Sequence, residues 1–215
     1  MPNTLKNKRV LITSGPTWVP LDSVRIISNI ATGETGIRLA QEAQKRGARV
    51  TLVLGPIVNT VFLKKIRVIR FTYFSELYQT LKKELTARKY DAVIHTAAVS
   101  DFKPKKFVFG KLKSKKQYLR LELESTIKIV DRLKAFSKDI FLIAFKLEFV
   151  KSKQVLIKRA AQLMRQARAD MVVANSFHGM SYRALIIDKA QKTIGTARSK
   201  QALIQSLLRI LEEKL

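Results

Sequence analysis

A mostly parallel β-sheet with helices packed on both faces is the fold class this sequence predicts, and three observations predict it. Short apolar runs at Val10–Thr13, Ala48–Leu54, Asp91–Thr96, Ile140–Lys146 and Met171–Ala174 lack the polar alternation of a strand with one wet face, so they read as strands covered on both sides. Amphipathic helical patterns lie between them, at Gly33–Arg46, Ser75–Arg88, Ile127–Phe136 and Val155–Arg168. Strand and helix alternate with glycine and proline as punctuation (Gly15-Pro16, Gly47, Gly55-Pro56), the pattern of crossover-connected parallel strands.

The first strand, Val10–Thr13, breaks at Ser14-Gly15-Pro16-Thr17. After a loop holding Asp22, Arg25 and Asn29, the chain enters a helix at Thr32-Gly33-Glu34-Thr35-Gly36. That helix stops at Gly47, a residue suited to the left-handed position past a helix end. Ala48–Leu54 is the second strand and Arg67–Phe71 a short third. Leu77, Leu81 and Leu85 give the next helix one apolar face. The fourth strand, Asp91–Thr96, runs into Ala97-Ala98-Val99-Ser100-Asp101. Phe102–Gln117 shows no period and reads as a lysine-rich irregular, flexible loop. Tyr118–Glu124 alternates strictly, as a half-exposed strand unlike the others. After the helix 127–136, the buried strand 140–146, the helix 155–168 and the buried strand 171–174, a hairpin is expected from Arg183–Asp188 and Lys192–Thr196, about residues 189–191. Ser199 caps a last helix, Lys200–Lys214. The architecture is Rossmann-like and the expectation is one domain over 1–215, with the hairpin and helix at 183–214 closing it.

Composition narrows the function classes. At 47% apolar residues the chain can bury a core. No apolar run approaches the roughly 20 residues of a membrane span, and Met1–Arg9 lacks a signal-peptide apolar region. Cysteine is absent, which excludes disulfides, thiolate metal sites and a cysteine nucleophile, and fits a cytoplasmic protein. His95 and His178 are the only histidines and neither has a carboxylate at metal-ligand spacing, so no metal site is expected. Forty-two basic residues against 16 acidic ones give a net charge of +26. Lys103–Lys116 holds seven lysines and Lys151–Arg168 six basic residues, neither with an acid. A solvated surface, a nucleic-acid partner and a polyanionic small substrate all fit that excess. Neither stretch interleaves aromatics as single-strand binders do.

In parallel α/β sheets ligands sit at the carboxyl ends of the strands. Ser14–Thr17, Ala97–Asp101, Phe145–Glu148 and Ala174–Asn175 are therefore expected to open on one crevice. A strand, a glycine-bearing loop and a helix N-terminus suit phosphate, because free N–H groups and the helix dipole favour an anion there. The spacing matches neither GxGxxG nor GxxxxGK[ST]. Gly15, Gly33 and Gly36 read as close-approach positions for phosphate or as ordinary turn glycines. Ala97-Ala98 admits a flat ligand or tight packing. Asp101 suits a ribose, a metal-bound phosphate or a turn cap. Asn29 suits an acyl group or a loop hydrogen bond, and Phe145 a base or the core. A loop lysine would act on phosphate as a point charge, though composition does not select one of the seven.

The segments LITSGPT (11–17), DSVRIISN (22–29), TGETG (32–36), HTAAVSDFKP (95–104), KLKS (111–114), FLIAFKLE (141–148) and ADMVVAN (169–175) stand in the order and spacing of one known family. Through them the chain resembles phosphopantothenoylcysteine synthetase (phosphopantothenate–cysteine ligase), an enzyme of coenzyme A biosynthesis, and the KLKS and FKLE forms resemble its stand-alone members. The resemblance implies a ligase that joins 4′-phosphopantothenate to L-cysteine through an acyl-nucleotide, at the expense of CTP or ATP with Mg²⁺. It implies Asn29 handling the intermediate with Arg25 in the same motif, and Lys111 serving the first step. Gly15, Gly33 and Gly36 would lie near the triphosphate, and Ala97, Ala98 and Asp101 at the substrate and nucleotide site. Phe145 would lie near the base, with Asn175 closing the site. It implies a homodimer, with a small β flap around Tyr118–Glu124 used in dimerisation. Departures stand out: Pro16 in place of a glycine removes an N–H, Ala31 replaces a serine, and Leu163 and Ala167 replace two lysines. They keep a nucleotide-binding relative with a regulatory or interaction role as the alternative, and a basic nucleic-acid-binding protein as a more distant one.

Overall fold

The computed structural model describes residues 5–57, 63–113, 118–150, 152–178 and 181–215. Residues 114–117 of the lysine-rich stretch, which include Ser114 of the KLKS motif, lie outside the described residues, as do Lys151 and the side chain of His178.

In chain order the strands and helices are β1 Arg9–Ser14, β2 Trp18–Pro20, β3 Ile26–Ser28, α1 Glu34–Lys45, β4 Arg49–Leu54, β5 Arg67–Arg70, α2 Phe74–Ala87, β6 Ala92–His95, β7 Phe102–Pro104 and β8 Leu123–Ser125. They continue as α3 Val130–Phe136, β9 Phe141–Glu148, α4 Lys153–Ala167, β10 Met171–His178, β11 Ser181–Asp188, β12 Thr193–Ala197 and α5 Lys200–Glu212. Eight strands form one sheet in the order β12-β11-β10-β9-β6-β1-β4-β5. The pairs from β10 through β5 are parallel, and β11 and β12 add antiparallel pairs at one edge. The predicted fold class is thus observed, with an antiparallel edge.

Side-chain parity splits the core. Alternate residues of the central strands (Val10, Ile12, Ala92, Ile94, Ile143, Val173) pack under α1 and α5. Their neighbours (Leu11, Val93, Leu142, Ala144, Val172) pack under α2, α3 and α4. Both sets are fully or almost fully buried, which is why these strands read as continuous apolar runs. Ser199 caps the last helix as expected, its Oγ accepting from the Ala202 amide at 3.1 Å, and Ser152 caps α4 in the same way, its Oγ accepting from Val155 at 3.4 Å.

Four local expectations need correction. The loop holding Asp22, Arg25 and Asn29 is a two-stranded ribbon of β2 and β3 in which Trp18 faces Ser28; a three-residue strand is too short to show a period. The stretch 102–117 is not wholly irregular, because β7 pairs with β8. Of the alternating segment only Leu123 and Glu124 are strand, as the start of β8, since Leu119, Leu121 and Leu123 are 51%, 41% and 46% exposed and none of the described residues buries their face. Lastly, 145–148 and 174–175 are not loops. β9 and β10 run on past the ends of their neighbours, and β10 continues as a ladder with β11.

Candidate active site

The chain leaves β1 toward β4 on one side and reaches β6 on the other, so the strand order reverses between β1 and β6. A crevice opens at such a switch point beyond the carboxyl ends. The two connections that leave there are stitched together. The Ala98 amide donates to Gly15 O at 2.9 Å and the Thr17 amide to Ala98 O at 3.3 Å. Thr17 Oγ1, buried, accepts from the Ser100 amide at 2.9 Å. Thr96 Oγ1 donates to Thr13 O at 2.7 Å. Thr13 Oγ1 accepts from the Ala97 amide at 3.1 Å and so has its proton free for His95 Nδ1, 2.9 Å away. Burial pushes His95 down to about 4, and it is a neutral, satisfied core residue.

The N-terminus of α1 enters this seam because residue 36 has no side chain. A Cβ on Gly36 would stand 2.5 Å from Ser14 Cβ and 2.6 Å from Thr96 Oγ1. Gly33 caps the helix at φ 72°, a left-handed conformation, and Gly15 turns at φ 82°. Ser14 Oγ donates to Gly33 O at 2.7 Å. The first-turn N–H groups of a helix have no partner inside it. Here the Glu34 amide reaches Thr32 Oγ1 at 3.3 Å, and the amides of Thr35 and Gly36 follow in the same turn. Glu34 itself is an acid where an anion would bind, but Lys200 and Arg38 pair with it, and its hydrogen bond to Lys200 holds its carboxyl below the usual range. Parity places Phe145 and Asn175 on the α1 face with Ser14 and Thr96. Phe145 faces Val173 across the ladder and packs on the α1-side core, and Asn175 stands two residues further along β10. Lys146 and Glu148 take the opposite face, where Glu148 pairs with Arg159 of α4. Leu163 and Ala167 of the same helix turn into the α4-side core.

Asn29 is exposed and anchored. Its Nδ2 donates to Ala98 O at 3.2 Å and to Val99 O at 3.1 Å, which leaves Oδ1 as its open group. Arg25 pairs with Asp22 at 2.6 Å and also donates to Leu112 O at 3.3 Å. Asp22 is buried and accepts from the amides of Val24, Arg25 and Leu112, with the Leu112 amide the leading cause of a carboxyl lowered to about 2. Lys111, next to Leu112, is exposed, and among the described residues its side chain makes no hydrogen bond or ion pair. The structure therefore gathers Gly15, Gly33, Gly36, Asn29, Ala97 and Ala98 at one seam, sets Phe145 and Asn175 on its α1 face, and ties Lys111 in through Arg25. Asp101, on the same connection as Ala98, is exposed and ion-paired with Lys128.

Sequence reasoning gave no role to Asp22, Thr13, Ser14, Thr96 or Glu34. Asp22 carried a signal: an acid followed at i+3 by an arginine, in a polar turn, is the pattern of a side chain that caps its own loop. A cavity of about 550 Å³ lies beside the seam, lined by Trp18, Tyr73, Tyr78, Lys103, Glu124 and Thr126 among others, and includes none of Asn29, Gly33, Gly36 or Lys111. In parallel α/β sheets the crevice beyond the strand ends, rather than a cavity of this kind to one side, is where ligands bind. Among the described residues no three histidine or carboxylate side chains cluster as a metal site, and no helix is long and apolar enough to cross a membrane.

A family model described as the DNA/pantothenate metabolism flavoprotein C-terminal domain matches residues 5–214. The chain is 40% identical over 175 residues to the Coenzyme A biosynthesis bifunctional protein CoaBC of Thermococcus kodakarensis, covering 81% of this chain and 43% of that protein. It is 32% identical over 212 residues to the protein of the same name from Borreliella burgdorferi, covering 96% and 53%. The chain thus spans about half the length of the curated relatives it matches. A crystal structure of the C-terminal domain of a CoaBC protein superposes with a TM-score of 0.81 at 26% identity, over 99% of this chain and 97% of that one. A Cab2 variant solved in complex with phosphopantothenate-cysteine shares the fold, with a TM-score of 0.80 at 20% identity over 97% of this chain and 87% of its own.

Proposed function

The chain belongs to the DNA/pantothenate metabolism flavoprotein C-terminal domain family, and on that premise we propose that it is a phosphopantothenate–cysteine ligase of coenzyme A biosynthesis. The observation that carries the reading is Asn29, whose Nδ2 donates to the carbonyls of Ala98 and Val99 at the switch-point seam and so leaves Oδ1 open.

In the proposed reaction the carboxylate of 4′-phosphopantothenate attacks the α-phosphorus of CTP or ATP and pyrophosphate leaves. The amine of L-cysteine then attacks the acyl carbon of the acyl-nucleotide, and the nucleoside monophosphate leaves with the bonding electrons. The α1 N-terminus, through the amides of Thr35 and Gly36, receives the triphosphate. Mg²⁺ travels on the triphosphate as part of the substrate, because the described residues offer no carboxylate cluster to hold it. Lys111 places its ammonium on the charge that develops at the α-phosphate. Asn29 Oδ1 accepts a hydrogen bond from the incoming amine, and Ala97 and Ala98 keep the strand end open for the acyl chain. Phe145 and Asn175 face the base, and Asp101 lies toward the substrate on the same loop as Ala98. A homodimer in the cytoplasm is part of the proposal: a second copy would cover Leu119, Leu121 and Leu123, with the flap of β7 and β8 as the dimerisation element.

A second reading, a nucleotide-binding relative that does not ligate, draws support from Pro16 and Ala31. Incubation with phosphopantothenate, cysteine, Mg²⁺ and either CTP or ATP separates the two. Pyrophosphate release dependent on phosphopantothenate supports the ligase, whereas nucleotide binding without release with either triphosphate sinks it. Lys111→Gln should slow acyl-nucleotide formation by about 100-fold or more. Asn29→Asp should form the acyl-nucleotide and accumulate it, seen by mass spectrometry of quenched reactions. Equal losses in both steps for both variants would overturn the division of roles.

A further inference from the structure

Lys111 is exposed and unpaired among the described residues, yet the backbone on either side of it is held firmly. Gly110 donates its amide to Ser23 Oγ at 2.9 Å and accepts from the Ser23 amide at 3.1 Å. Leu112 donates its amide to Asp22 Oδ2 at 3.0 Å and accepts from Arg25 at 3.3 Å. Both neighbours of the lysine thus have both backbone groups tied to the turn 22–25, some 87–90 residues earlier in the chain. The same turn leads through β3 to Asn29.

The two oxygens of Asp22 have different tasks. Oδ1 accepts from the Val24 and Arg25 amides at 2.8 and 2.7 Å and shapes the local turn. Oδ2 accepts from the Arg25 guanidinium at 2.6 Å and from Leu112 at 3.0 Å, and so reaches across to the lysine loop. A buried carboxylate with four donors is held in a single orientation, so the direction in which Lys111 leaves the backbone follows from it.

We propose that Asp22 is a positioning residue for the first half-reaction: with Arg25 it clamps Leu112 and thereby holds Lys111 in fixed relation to Asn29. The proposal rests on the ligase reading for its catalytic consequence and on the geometry alone for the clamp. Asp22→Asn separates the two tasks. Its remaining oxygen serves the Val24 and Arg25 amides, while its NH₂ meets the Leu112 amide and the Arg25 guanidinium, donor against donor.

Half-reactions and amide exchange test it in the full chain. Asp22→Asn should slow acyl-nucleotide formation roughly 10- to 100-fold, the scale of a misplaced reacting group, and leave the attack of cysteine on supplied acyl-nucleotide within about twofold of wild type. Combined with Lys111→Gln it should add almost nothing to the loss from Lys111→Gln alone, because the clamp acts only through that side chain. A loss that adds in full, or one shared equally by both half-reactions, overturns the positioning role. Hydrogen exchange at the Gly110 and Leu112 amides should quicken in Asp22→Asn, with protection in β1 and β6 unchanged. Unchanged exchange at 110 and 112 refutes the clamp even if the wild-type protein releases no pyrophosphate, and absence of release by itself counts against the ligase reading only.

Discussion

The connections that leave β1 and β6 run side by side from the same end of the sheet, yet they are ordered by opposite means. The first, from Gly15 to Gly33, is short and folded on itself. It turns at two left-handed glycines, pairs β2 with β3, and buries Thr17 and Asp22. The second, from Thr96 to Lys128, buries only its root at Ser100 among the described residues and then displays Phe102, Phe109, Tyr118 and three leucines to solvent. Its residues nearest Lys111 are ordered by bonds to the first connection rather than by a core of their own. The rigid loop carries Asn29 and lends its order to the loop that carries the lysine. Lys111 thus stays exposed while the backbone on either side of it is held.

If the root of the seam is the rigid part, protonating it should be the most damaging change. His95 is neutral in the fold, with its pKa pushed down by burial to about 4 from 6.5. A lowered folded-state pKa contributes stability that is fully present above the unfolded value and is lost as pH falls from 6.5 toward 4. Denaturant unfolding should therefore show a loss of about 3 kcal/mol across that window, and His95→Asn should flatten it. Asp22, lowered to about 2, adds its own loss only below the unfolded carboxylate range near pH 4. A profile that is flat between pH 6.5 and 4.5 would mean that the seam tolerates a charge, and the contrast between the two connections would weaken.

Gly36→Ala should come next. Its Cβ would meet Ser14 Cβ and Thr96 Oγ1 well inside contact distance, so α1 or the strand ends must shift, at a cost of about 1–3 kcal/mol. Thermal unfolding reads the cost. A stability equal to wild type would show that α1 sits loosely on the seam.

The smallest effect on the monomer is expected at the exposed loop. Leu121→Glu should change unfolding free energy by about 0.5 kcal/mol or less, as surface changes do. In sedimentation it should convert a dimer to a monomer if the leucine face meets a second copy. A variant that stays dimeric would place the interface elsewhere, and one that unfolds would show that the loop has a core after all.

Much of the sheet was legible because its strands are buried on both faces. That condition writes itself into the sequence as unbroken apolar runs, and helices between such runs leave few topologies open. β2, β3, β7 and β8 left no such mark, since strands of three residues are set by their partners and not by a period. The alternation at Tyr118–Glu124 predicts a half-exposed strand, but only its end is strand and its leucines stand exposed. Gly33, Gly36 and Asn29 stood out as residues without a packing reason. Asp22 did not, because its carboxylate gains its meaning from Leu112, 90 residues away.

By itself, then, the sequence determined the layered parallel sheet and the family to which the motifs belong, and it singled out the strand ends as the candidate site. Those follow from local burial periodicity and from short contiguous motifs. Only the tertiary structure decided that Gly36 is required by Ser14 and Thr96, that Asn29 hangs from the Ala98 and Val99 carbonyls, and that Asp22 joins the two connections. Each of these is a contact between segments distant in the chain, and a contact of that kind has no spacing by which a linear reading could find it.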